Sequence, residues 1–153
     1  MKRPTLHDVE TCHAVAKRFI SPLFHWLDDE DAKAIDIEKD LLKAFKAAFD
    51  WGPCSIVREF DKMEYFVDAE LFHIFEAANL LAIDETQKRV RAWVITEGVL
   101  PAFAVGDQVV VSPVYGTIIR VDAETAEYVV QCPVVGHSGA AGYVVPFEKV
   151  VGR

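Results

Sequence analysis

Cysteine is scarce in this sequence: Cys12, Cys54 and Cys132 are its three, an odd number at long, irregular intervals. That spacing argues against a disulfide framework and matches no paired zinc-ligand pattern, so a reducing compartment, the cytoplasm, is expected. Also missing is any apolar run near the ~18 residues that a membrane helix needs. The basic start Met1-Lys2-Arg3-Pro4 runs directly into Thr5-Leu6-His7-Asp8-Val9-Glu10, without the apolar stretch of a signal peptide. Basic residues are outnumbered, 16 against 24 acidic, for a net charge of -8. Such a chain repels nucleic acid and anionic membrane, so the expected partner is a protein with a basic surface. There is no internal repeat and no low-complexity tract.

What is present is apolar content enough for a core: 52% hydrophobic over 153 residues, sufficient for one domain or two small ones packed together. The first hundred residues read as helical. Leu6, Val9, Cys12, Ala16, Phe19, Ile20, Leu23 and Leu27 recur at three- and four-residue spacing, and Thr5 with Asp8 has the form of a capping box. Pro22 inside that pattern predicts a kink, or a new helix capped by Ser21. A second helix is expected from the acidic run Asp28-Asp29-Glu30-Asp31 onward. Ile35, Glu38, Leu41, Leu42, Phe45, Ala48 and Phe49 trace its mostly apolar face, and Trp51-Gly52-Pro53 stops it.

Residues 54–67 fit two descriptions. Ile56, Val57, Phe60 and Met63 suit a helical face, while Ser55–Phe60 and Glu64–Val67 around Asp61-Lys62 suit a hairpin; the hairpin or an irregular connection is the expectation. Asp68 reads as the cap of a helix carrying Leu71, Phe72, Phe75, Ala78, Asn79 and Leu81 or Ala82. Asp84 with Gln87 reads as a further cap, before Val90, Trp93, Val94 and the terminating Gly98. Leu100-Pro101-Ala102 is then a linker, apolar enough to predict that the two halves dock.

The remainder reads as strands. Gln108–Ser112 is short and β-branched and closes at Pro113; Tyr115-Gly116 is expected to turn the chain into Thr117–Val121; Asp122–Thr125 makes a polar turn into Glu127–Cys132. Gly142–Val145 ends at Pro146, and Phe147–Val151 supplies a turn and a closing strand. Strands this short bury a face only by curling into a barrel or lying on another layer. Val-Gly-Asp before an apolar strand, Tyr-Gly-Thr-Ile-Ile, an acidic turn, Tyr-Val-Val and Val-Pro-Phe-Glu-Lys-Val together resemble the SH3-like small barrels of the KOW and Tudor type, over about the last third of the chain. The resemblance implies a binding module for RNA, protein tails or neighbouring domains more than any chemistry. In this copy Arg120, Lys149 and Arg153 face Asp107, Asp122, Glu124, Glu127 and Glu148, the wrong balance for tracking phosphates. The expected architecture is α+β: a helical domain over residues 1–100 packed against an SH3-like antiparallel barrel over 101–153.

No catalytic or metal motif accompanies it. Cys12-His13 with His7 and His25 contains ligand types without ligand spacing, and small buried apolar roles suit the cysteines better. Gly136–Gly142 lacks the second glycine of a nucleophile elbow, since Ala140 stands there, and lacks the helix of a phosphate cradle; a hairpin loop is the plainer reading. The tyrosines of the strands suit either an aromatic cage or core packing. Lys88–Arg91 makes a basic stripe too short for nucleic acid. No cofactor, metal or enzymatic activity is expected. The candidate contact residues are Asp28, Asp29, Glu30, Asp31, Asp36 and Asp40 on the acidic helix, with Tyr115, Tyr128, His137 and Tyr143 on the barrel. They predict a non-enzymatic binding or regulatory protein that steers by charge and anchors by aromatics. The alternatives are an acidic inhibitor that imitates nucleic acid, as phage anti-defence proteins do, and an RNA- or DNA-binding accessory module.

Overall fold

The computed structural model of the chain describes residues 2–26, 34–48, 52–133 and 139–152, with backbone alone at 24–26 and 34–36. Among them are four α-helices followed by a five-stranded antiparallel sheet, so the chain is α+β. It divides into two compact units, Pro4–Arg89 and Met1–Arg3 with Val90–Arg153. None of the described helices is long and apolar enough to cross a membrane.

The helical unit begins with Thr5 and Asp8. Asp8 accepts from the Thr5 amide (2.8 Å) and hydroxyl (2.9 Å), which fixes the turn ahead of α1, Val9–Trp26. The helix passes through Pro22 as one element, so no second helix opens at Ser21. Cys12, Val15, Ala16 and Leu23 are its buried apolar side chains among the described residues, with Thr11 buried beside them, whereas Val9 is half exposed. In α2, Ala34–Ala48, the buried residues are Ile37, Leu41, Ala44, Phe45 and Ala48, one helical stripe that repeats at three and four. Phe60 and Phe75 meet in the same core with ring centroids 4.6 Å apart.

Residues 53–61 form α3, Pro53–Asp61, which overturns the hairpin expected over 54–67. Gly52, at φ 78°, leads into Pro53 at the first helical turn, where a missing N–H costs nothing. Ile56 and Phe60 point inward one turn apart. The helix ends in a Schellman motif: the Tyr65 amide reaches Phe60 O (3.2 Å), the Glu64 amide reaches Asp61 O (3.0 Å), and Glu64 takes the left-handed conformation at φ 66°. The rings of Phe60 and Tyr65 close the motif at 5.1 Å. A glutamate stands in the position that glycine normally marks, so the sequence lacks the usual sign of a helix stop here.

The last helix, α4, Ala69–Glu97, is capped as expected by Asp68, whose Oδ1 accepts from the Leu71 amide at 2.8 Å. It does not restart at Asp84. Asp84 pairs with Lys88 (2.6 Å) and Glu85 with Arg89 (3.2 Å), each an i,i+4 pair that favours continuing the helix over capping a new one. It stops at Gly98, φ 61°, where the Val99 amide returns to Val94 O (3.1 Å). From Val90 onward its residues group with the strands.

In the sheet unit, β1 (Gln108–Val111), β2 (Val114–Asp122), β3 (Glu127–Pro133), β4 (Ala140–Pro146) and β5 (Val151–Gly152) lie in the order β4-β3-β2-β1-β5. The ladders end at β4 on one side and β5 on the other. Val111 pairs with Val114, so the first hairpin turns at Ser112-Pro113 and not at Tyr115-Gly116. Gly116 instead sits inside β2 because a Cβ there would lie 2.5 Å from Val130 and 2.7 Å from Cys132. The register shifts between Ile118 and Arg120, a bulge that bends the long β2. Val109, Ile118, Tyr128, Val130, Cys132, Val145 and Val150 form the core, with Phe103 and Phe147 against it. Arg3 belongs to this unit. Its guanidinium donates to Ala126 O (2.9 Å) and Glu127 Oε1 (2.9 Å) and lies 3.6 Å from Glu148 Oε2.

Candidate binding surfaces

Strand alternation gives the sheet one face toward the core and one away from it. Val109, Ile118, Val130 and Val145 point inward, so their neighbours in sequence point outward. The pairings Val110–Val151 and Val110–Tyr115 place those three in one outward row, and Gln108–Thr117, Thr117–Gln131 and Gln131–Gly142 make the next. Gln108 Nε2 donates to Thr117 Oγ1 at 2.8 Å, tying the two strands across that second row. Further along, Arg120 pairs with Val129 and Val129 with Val144, beside Ile119 at the bulge. Tyr115 is 59% exposed, Val144 61% and Val151 64%. From Gln108 through Thr117 and Gln131 to Gly142, and along the row of Tyr115, no side chain carries charge. Arg120, Asp122 and Glu127 bring charge in only at the far end.

The sequence candidates do not gather into a cage. Tyr128, expected as a contact residue, is wholly buried: its ring stacks on Phe147 at 4.2 Å and its oxygen accepts from the Phe103 amide. An inward position opposite Val145 in the register puts it in the core. Tyr143 pairs with Val130 and therefore lies on the core-facing side of β4, half exposed at the sheet's end, whereas Tyr115 lies on the outward side. The two exposed tyrosines thus sit on opposite faces. Asp40 is half-buried and accepts from Tyr65 Oη at 3.0 Å. Asp28, Asp29, Glu30, Asp31, the side chain of Asp36, and His137 lie outside the described residues. Of the Gly136–Gly142 segment, Ala140 to Gly142 already belong to β4.

The cysteines sit apart from these surfaces. Burial pushes the Cys12 thiol up to about 11, with Lys46 pulling it down and Asp8 pushing it up, and Cys12 Sγ donates to Leu6 O at 3.6 Å. Burial raises the Cys132 thiol as well. Cys54 is exposed. No three His, Cys, Asp or Glu side chains converge into a metal-binding group among the described residues.

One surface was passed over in the sequence. On α2, Lys39, Lys43 and Lys46 follow one another at four and three residues and line an open groove of about 670 Å³ with Glu38, Leu42 and Ala47. The signal was present as spacing, but the acidic balance of the whole chain hid it. Comparison with family models, curated proteins and solved structures finds no match to this chain.

Proposed function

We propose that this chain is a non-enzymatic protein-binding module, and that it engages its partner through the outward face of its sheet. The observation that carries the reading is the uncharged face around Tyr115, with Val144 and Val151 exposed on the same side, in a chain of 26% charged residues. An uncharged strand face with exposed apolar side chains suits an interaction site, and an aromatic with one apolar body and one polar tip is the usual anchor. The net charge of -8 favours a protein over nucleic acid as the partner, one with basic surface around the contact.

The same reading takes the sheet unit as an SH3-like small barrel. Two features support it. A five-stranded sheet curls into a barrel when a long strand bends to serve both layers and the last strand returns beside the first; β2 bends at its bulge, and β5 pairs with β1 after the 3-10 turn Phe147–Lys149.

A photocrosslinking residue at position 115, compared with one at exposed Lys62 on the helical unit, tests the binding reading in cells. The expected result is a discrete protein adduct from position 115 that disappears when Val144 and Val151 are both changed to lysine. Crosslinks to nucleic acid, or equal adducts from both positions, would overturn it.

A further inference from the structure

We propose that the Lys39-Lys43-Lys46 face of α2 is a second docking surface, and that it receives an acidic amphipathic helix of a partner protein. It lies in the helical unit and stands independently of the sheet-face reading.

Charge is the first argument. Successive lysines at four and three residues project from one side of a helix over ~10 Å of its length, and like charges so placed repel one another. Elsewhere the protein neutralises such residues: Asp84 faces Lys88, Glu85 faces Arg89, and Glu59 faces Lys62. On α2 no carboxylate among the described residues pairs with Lys39, Lys43 or Lys46. Of the two acidic residues that flank Lys39 in sequence, Asp40 is engaged by Tyr65 and Glu38 lines the groove. Three lysines without an ion pair among the described residues, beside the single carboxylate of Glu38, give this face a local excess of positive charge in a chain of net charge -8.

Shape and chemistry then select the occupant. The groove combines three ammonium groups and the one carboxylate of Glu38 with Leu42, Ala47 and the alkyl stems of the lysines, so it offers apolar contact and a net positive charge side by side. A helix with carboxylates at i, i+4 and i+7 and an apolar residue between them matches both, in the helix-in-groove mode. Nucleic acid fits less well: among the described residues the groove has no arginine and no aromatic to stack on a base, and the whole-chain charge opposes a polyanion many times longer than the patch. Anionic membrane meets the same repulsion.

The test is fluorescence anisotropy at low ionic strength with a labelled synthetic helix bearing glutamates at i, i+4 and i+7 and leucines between them. The full-length protein is expected to bind it, with an affinity that falls steeply with salt. K39Q/K43Q/K46Q is expected to weaken binding roughly tenfold or more, as the sum of three exposed ion pairs. K39R/K43R/K46R is expected to keep it, and K39E/K43E/K46E is expected to bind the same peptide with its glutamates changed to lysine. Circular dichroism confirms that each variant is folded, and a variant that is not folded leaves the arginine and charge-reversed proteins to decide. No binding of the acidic helix, equal binding by the glutamine variant, or tighter binding of a DNA duplex or phosphatidylserine vesicles would overturn the proposal. Tyr115→Lys is expected to leave peptide binding unchanged, so this surface and the sheet face fail separately.

Discussion

The backbone N–H of Phe103 donates to the phenol oxygen of Tyr128 at 3.0 Å, which joins the segment entering the sheet to the side chain at the sheet's centre. Tyr128 is wholly buried and Phe103 partly so. Tyr128→Phe keeps the ring stacked on Phe147 but strands the amide, at a cost of about 1–2 kcal/mol. Tyr128→Ala adds a cavity and is expected to cost about 3–5 kcal/mol. Urea unfolding followed by fluorescence measures both, and equal midpoints for wild type and the phenylalanine variant would show that the bond contributes nothing.

Glu64 bears the opposite prediction. Its left-handed backbone is strained for an L-residue, and glycine relieves that strain while adding some freedom to the unfolded chain. Glu64→Gly is therefore expected to stabilise the protein by about 0.5 kcal/mol, seen as a small rise in Tm. Asp68→Ala, four residues further along, removes the bond to the Leu71 amide and is expected to lose about 1 kcal/mol.

Gly116 has no positive φ to explain it; space does. A methyl group there meets Val130, Cys132 and the Gln131 carbonyl at 2.5, 2.7 and 2.8 Å, and one of the three is backbone. Gly116→Ala is expected to cost about 2–3 kcal/mol through displacement of β3 from β2. Hydrogen exchange should show the loss at the β2–β3 amides first; unchanged protection there would refute the steric account.

The buried thiols set an alkaline limit. Cys12 has its folded pKa raised from 9.0 to about 11, so both states hold the proton at neutral pH and only the unfolded state releases it as pH passes 9. The protective contribution is complete below pH 9 and lost as pH rises toward 11, an effect on the order of 2 kcal/mol. Cys132, also raised, acts in the same direction. Denaturant midpoints should fall across that window and fall less in Cys12→Ala. In native protein a thiol reagent should label Cys54 quickly and the other two only on unfolding.

Much of the fold was legible because the local signals agreed with the tertiary outcome. Asp68 before an apolar period and Gly98 after it mark the true ends of α4, and the β-branched runs mark the strands. The misreadings have a common cause, a residue that serves an unusual purpose. Glu64 occupies a glycine position, so a helix end passed for a hairpin. Asp84 and Gln87 have the letters of a cap, but their neighbours supply i,i+4 pairs that keep the helix intact. Gly116 looked like a turn because sequence cannot show the close approach of β3. The binding candidates were less legible still: burial separates Tyr128 from Tyr115, and only the three-dimensional register tells which tyrosines share a face. The lysines of α2 needed nothing beyond helical spacing, yet net charge drew attention to the carboxylates.

Arg3 and its acceptors Ala126 and Glu127 are separated by 123 and 124 positions, yet they belong to the same compact unit. During translation the guanidinium leaves the ribosome long before the carbonyl and carboxylate it will bind exist, and the whole helical unit is synthesised in between. The contact therefore cannot form until the strands of the sheet have been synthesised, and it ties the C-terminal sheet to Arg3. A bulky group fused beside Arg3 would be felt by strands encoded more than a hundred codons later.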